Sequence, residues 1–157
     1  MRLCGRGKGP MVGAMFRIIA FVLSAAALAF AAIFLLNPGS EPAATRDLSR
    51  SKASDNGLYV VEIAPEKDPI EQGVLHGWVV TLTTPAGEAV EGAAIAVGGG
   101  MPDHGHGLPT SPEMTAELGE GRYQVEGVRF NMGGWWVLEF EIDAGPGKDS
   151  ATFNLQL

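Results

Sequence analysis

The chain has 157 residues, a formal net charge of -7 and 46% hydrophobic residues, a size that supports one folded domain beside a membrane segment but not two domains. Its one cysteine, Cys4, excludes an internal disulfide and a thiolate metal cluster. Every acidic residue follows position 40, and so acidic a domain is excluded from recognising a phosphate backbone, which needs Lys and Arg; no nucleic acid partner is expected.

In chain order, residues 1–17 form a basic tail, with Arg2, Arg6, Lys8 and Arg17 and no acid among them. Residues 18–36, IIAFVLSAAALAFAAIFLL, carry no charge. At about 1.5 Å rise per residue, a helix of that length crosses the hydrocarbon core. Ala27-Leu28-Ala29 has the look of a signal-peptidase site, but the apolar run continues to Leu36, past the point where a cleaved signal turns polar. An uncleaved transmembrane signal-anchor is therefore expected. The four cations before it keep the N-terminus and Cys4 in the cytoplasm. The rest of the chain is then placed on the periplasmic face of a bacterial inner membrane. Residues 37–56, rich in Pro, Ser, Ala and charge, read as a flexible linker.

The domain is expected over residues 57–157. Short alternating runs, broken by Gly and Pro, predict strands over 58–64, 75–83, 93–97, 114–118, 123–128, 135–142 and 151–157. No run after the anchor has a 3.6-residue apolar period. The expected fold class is all-β, an immunoglobulin-like antiparallel sandwich of about seven strands behind a single transmembrane helix. Tyr123, Val125, Phe130, Trp136, Leu138, Phe140 and Ile142 are the predicted core. Of Trp135 and Trp136, one is expected in the core and the other at the surface or under a neighbouring loop.

Residues 98–114, GGGMPDHGHGLPTSPEM, concentrate the unusual chemistry: two of three histidines, two of six methionines and three prolines. They are expected to form one long loop, freed by Gly98, Gly99 and Gly100 and stiffened by Pro102, Pro109 and Pro112. His104 and His106, two residues apart, point the same way in an extended chain. Met101 and Met114 flank them with thioether sulfur. Imidazole with thioether suits copper, above all Cu(I), better than calcium or magnesium. The predicted metal set is His104, His106, Met101 and Met114, with Asp103 and Glu113 as partners orienting the rings. A second reading stands beside it: solvated histidines, with the methionines as core plugs. His76 and Met132 join the set only if their segments reach the same end of the domain.

These residues resemble a known family. A single-pass anchor followed by Met-Pro-x-His-x-His (Met101, Pro102, His104, His106), Gly-x-Tyr-x-Val (Gly121, Tyr123, Val125) and Gly-x-Trp (Gly134, Trp136) is similar to the YtkA-like domain, itself related to FixH-like membrane proteins. The resemblance implies an immunoglobulin-like sandwich facing the periplasm. Through the FixH-like proteins it also implies association with cation-transporting ATPases or with assembly of haem-copper oxidases. The chain lacks the nucleophile elbow, P-loop, dinucleotide fingerprint and helix-borne zinc motif, and no enzymatic activity is expected. The expected function is copper binding or delivery at the membrane, with copper as the ligand and a copper-dependent or cation-transporting membrane complex as partner. The alternative is a non-metal interaction domain docking on such a complex.

Overall fold

Strong period-two alternation, from Trp136 through Leu138 and Phe140 to Ile142, makes a ten-residue strand whose inward side chains are buried while Glu139 and Glu141 face water. The computed structural model describes residues 46–157. The predicted basic tail, the membrane anchor and the first part of the linker lie outside these residues. Among those described, no helix is long and apolar enough to cross a membrane.

Nine strands follow one another: β1 (Ser51–Ala53), β2 (Val60–Pro65), β3 (Leu75–Thr83), β4 (Ala94–Met101), β5 (His106–Gly107), β6 (Glu113–Gly119), β7 (Arg122–Arg129), β8 (Trp135–Ala144) and β9 (Gly147–Gln156). All pairings are antiparallel, along the path β1-β2-β3-β7-β6-β4-β8-β9, with β5 beside β4. The path curls until its ends meet. Asp55 N–H donates to the Ser150 carbonyl at 2.8 Å, and Ser54 Oγ–H donates to Asp149 at 2.6 Å, so the segment after β1 is tied to β9 and the sheet is nearly closed, barrel-like. Its thinnest link is the single pair Ala96–Glu113 between β4 and β6.

Each of the seven predicted strands is present, and all seven predicted core residues are buried. One contiguous core joins Val61 and Ile63 of β2, Trp78, Val80 and Leu82 of β3, and Phe153 of β9 to the inward row of β8. On β7 the alternation slips: Val125 faces Trp78 while Val128 faces His76, three residues spanning what two span on β3. Gly127, at φ 86, lies within that bulge. The extra residue re-phases the strand so that both valines face inward.

Two strands lie outside the expectation. β1 falls in the predicted linker and pairs with β2 from Ser51–Glu62 to Ala53–Val60, with Ser54 buried behind it. Strand pairing with the domain is thus present ahead of residue 57, because polar Ser and Asp side chains here take backbone partners that composition does not reveal. The second, β5, falls inside the predicted long loop.

Candidate metal-binding hairpin

The triple glycine belongs to β4 rather than to a loose loop. Gly98, Gly99 and Gly100 pair with Glu139, Leu138 and Val137 of β8. A Cβ on Gly99 would meet the Val137 carbonyl oxygen at 2.1 Å, and one on Gly100 would meet the His106 carbonyl oxygen at 2.3 Å. Gly99 and Gly100 are needed for close backbone approach, and Gly99, at φ 138, also for a conformation that side chains rarely adopt. That approach lets β5 fold back on β4, pairing Gly100 with Gly107 and Met101 with His106.

The connection between them is short and well bonded. Pro102–His104 makes one 3-10 turn, and Gly105, at φ 65, closes it by donating its N–H to the Met101 carbonyl at 2.9 Å. Leu108 N–H donates to the Gly99 carbonyl at 3.0 Å. The predicted long loop is therefore a tight hairpin, with both histidines in or beside its turn.

The rings of His104 and His106 are exposed, and their centroids lie 5.9 Å apart at 40°. Two imidazoles sharing one ion, with metal–nitrogen bonds of about 2.0–2.1 Å, bring their centroids no farther apart than about 6.4 Å, and this pair lies within that reach. His106 Nδ1 lies 3.1 Å from the Gly107 carbonyl oxygen. A carbonyl only accepts, so Nδ1 is the donor here, and Nε2 is the ring nitrogen left to face a ligand. The His106 ring meets Trp136 edge-on, at 5.8 Å between centroids. Trp136 is fully buried, packs against Phe130 at 5.3 Å and donates its indole N–H to the Met132 carbonyl at 3.0 Å. The hairpin thus rests on a rigid aromatic floor.

The methionines separate. Met101, opposite His106 in the ladder, is 1% exposed, and a Cβ on Gly134 would lie 2.9 Å from its methyl. It is a core residue at the base of the hairpin. The expectation that Met114 flanks the histidines is corrected by the register. Its neighbour Glu113 pairs with Ala96, five positions back along β4 from Met101; at about 3.3 Å per residue this is some 16 Å of strand. Met114 packs against the core opposite Val125. The proline-rich return carries it down the sheet, which linear proximity to His106 concealed.

The other candidates are engaged elsewhere. The Asp103 carboxylate faces Arg46 at 3.7 Å rather than an imidazole. His76 is buried beside Phe130 and donates from Nε2 to the Glu71 carbonyl at 2.8 Å, which makes it a hydrogen-bonded core histidine. Among the described residues, no three His, Cys, Asp or Glu side chains gather as a metal site. Trp135 is half-buried, covered by the Arg46 guanidinium at 3.8 Å and bonded from Nε1 to Asn154 Oδ1 at 2.9 Å. Arg46 was missed because it stands in what composition marked as linker. Exposed Val74 precedes β3 and exposed Leu75 opens it, pairing with Arg129, so both join the end of the domain that holds Phe130, Met132 and the hairpin.

With this geometry in place, comparison with known proteins assigns a family. The YtkA-like family profile matches residues 44–141, well over half of the chain, and the chain belongs to that family. No curated protein and no solved structure matches it.

Proposed function

We propose that this YtkA-like domain binds Cu(I) through His104 and His106 and passes it to a copper-dependent or cation-transporting membrane complex. In this reading, the apolar segment 18–36 holds the domain on the periplasmic face of a bacterial inner membrane. The observation that carries it is the pair of exposed imidazoles 5.9 Å apart on a bonded hairpin, with His106 Nδ1 committed to a carbonyl. Paired imidazole nitrogens suit copper better than calcium or magnesium. An exposed pair of donors leaves coordination positions free for a recipient's ligands, which suits delivery better than storage. The reading includes an immunoglobulin-like sandwich, supported by the division of the sheet path at its single β4–β6 pair.

Competition titration of the full chain with Cu(I) against a chelator tests the proposal. The native chain should bind, and its melting temperature should rise with free Cu(I), since a ligand of the folded state stabilises it. Joint replacement His104→Ala and His106→Ala should abolish both effects. Unchanged Cu(I) affinity in that variant would reject the proposal. The exposed Val74, Leu75 and Met132 at the hairpin end favour the second reading, an apolar docking face for a membrane complex that needs no metal. Under that reading the double variant keeps complex binding and copper leaves the melting temperature unmoved.

A further inference from the structure

Three methionines in the domain differ in what their sulfur is free to do. The Met101 thioether is already packed in the core, and Met114 sits far down the β4–β6 ladder. Met132 is 40% exposed, although its neighbours on either side are anchored. Phe130 before it and Trp136 after it are fully buried and in edge contact with each other. The Met132 carbonyl is held by the Trp136 indole N–H at 3.0 Å, so its backbone is pinned while its side chain faces out.

The same indole carries the His106 ring, at 5.8 Å. Two residues beyond Met132, the Gly134 backbone lies under the Met101 methyl, so closely that a Cβ there would stand 2.9 Å from it. The segment 131–134 and the hairpin are therefore packed on one platform, and Met132 brings the exposed thioether to the end of the domain that holds the two imidazoles. Its unbranched side chain turns about three bonds and adapts readily to a ligand.

Resting on the copper reading above, we infer that Met132 supplies the soft third donor of a His104–His106–Met132 site for Cu(I) or another soft monovalent ion. A thioether joined to two imidazoles favours such an ion over zinc or a hard divalent cation. Met101 then serves as the packed base that sets the spacing of hairpin and segment.

The test uses the full chain with carbon-13-labelled methionine methyls and Ag(I) as a redox-inert probe. Ag(I) should shift the Met132 methyl and the imidazole signals of His104 and His106, and leave the Met114 methyl in place. Met132→Leu conserves volume and keeps the backbone carbonyl that holds Trp136. It should lower Cu(I) affinity at least about tenfold, as the loss of metal-site groups commonly does, with Met114→Leu as the unaffected control. If the imidazoles respond while the Met132 methyl stays still, or Met132→Leu binds Cu(I) like the native chain, the inference falls and the two-histidine reading survives. If neither imidazoles nor methyl respond, both fall.

Discussion

The guanidinium of Arg46 lies 3.8 Å above the ring of Trp135, and its Nη2 reaches Asp103 in the hairpin turn at 3.7 Å. Arg46 is therefore clasped between a β8 tryptophan and the turn that carries His104. Asn154 completes the clasp, accepting from Trp135 Nε1 at 2.9 Å and donating to the Asp47 carbonyl at 3.0 Å. The ion pair is long and half exposed at Asp103 and adds little; the stacked, shielded cation is the larger contribution.

Replacing Arg46 by Ala should therefore destabilise the domain by about 1 kcal/mol, the scale of a partly shielded cation–π contact. Lys should recover only part of this, because it lacks the flat fork that stacks on an indole. Urea denaturation of both variants, of Trp135→Ala and of Trp135→Ala combined with Arg46→Ala measures the coupling. Strict additivity of the two single losses would show that the stack contributes nothing.

A second prediction concerns acid. Asp149 accepts from Ser54 Oγ at 2.6 Å, from the Asn56 side-chain amide at 2.9 Å, and from the backbone N–H groups of Asn56, Leu58 and Ser150 at 3.0, 3.1 and 2.9 Å. Burial pushes its carboxyl up, but the Ser54 hydroxyl and the backbone donors outweigh burial and hold it well below the usual carboxylate range. A carboxylate lowered on folding stabilises the fold above its unfolded value, about 3.9, and loses that contribution as pH falls through the folded value. Asp149→Asn, which turns an NH2 toward several donors, should cost about 2 kcal/mol at neutral pH. The gap between native and variant stability should narrow steadily below about pH 4. A gap that stays constant from pH 7 to pH 2 would remove Asp149 from the acid response.

Glycines in one strand should differ sharply. Gly98→Ala places a Cβ no nearer than 3.8 Å to Glu139 Oε2 and should change stability by less than about 0.5 kcal/mol. Gly99→Ala, at φ 138 and with a carbonyl 2.1 Å from the new carbon, should part β4 from β8. The expected loss exceeds about 3 kcal/mol. Chemical denaturation reads both, and amide exchange at Leu108, whose N–H bonds to Gly99, reports whether the hairpin opens first. Equal tolerance of both substitutions would overturn the close-approach argument.

Tyr123 closes the opposite side of the core. Its hydroxyl donates to the Val90 carbonyl at 2.7 Å and accepts from Ala93 N–H at 3.1 Å. Burial raises its phenol above the ordinary value, so it stays neutral throughout the physiological range. Tyr123→Phe leaves two backbone groups unpaired and should cost about 1–3 kcal/mol with little change in secondary structure. Thermal unfolding followed by circular dichroism checks this.

The legible part of the protein was what alternation alone dictates. Inward rows such as Trp136, Leu138, Phe140 and Ile142 are visible because a strand with one buried face must repeat every two residues. Of the candidate donors, His104 and His106 were expected to converge along an extended stretch, but a 3-10 turn over Pro102–His104 and Gly105 at φ 65 are what set their rings 5.9 Å apart. For Met101 the sequence left two readings open, ligand or core plug, and its burial against Gly134, thirty-three positions away, places it in the core.

Strand identity and the core thus follow from local pattern, because side-chain direction in an extended chain is a local property. The tertiary structure alone decided the rest: the docking of Arg46 on Trp135, the conversion of three glycines from a loose loop into a paired strand, and the placing of Met114 down the β4–β6 ladder. Each depends on register between strands remote in sequence. Register is set by how closely backbones approach and where a bulge shifts the phase, and a linear reading does not contain it.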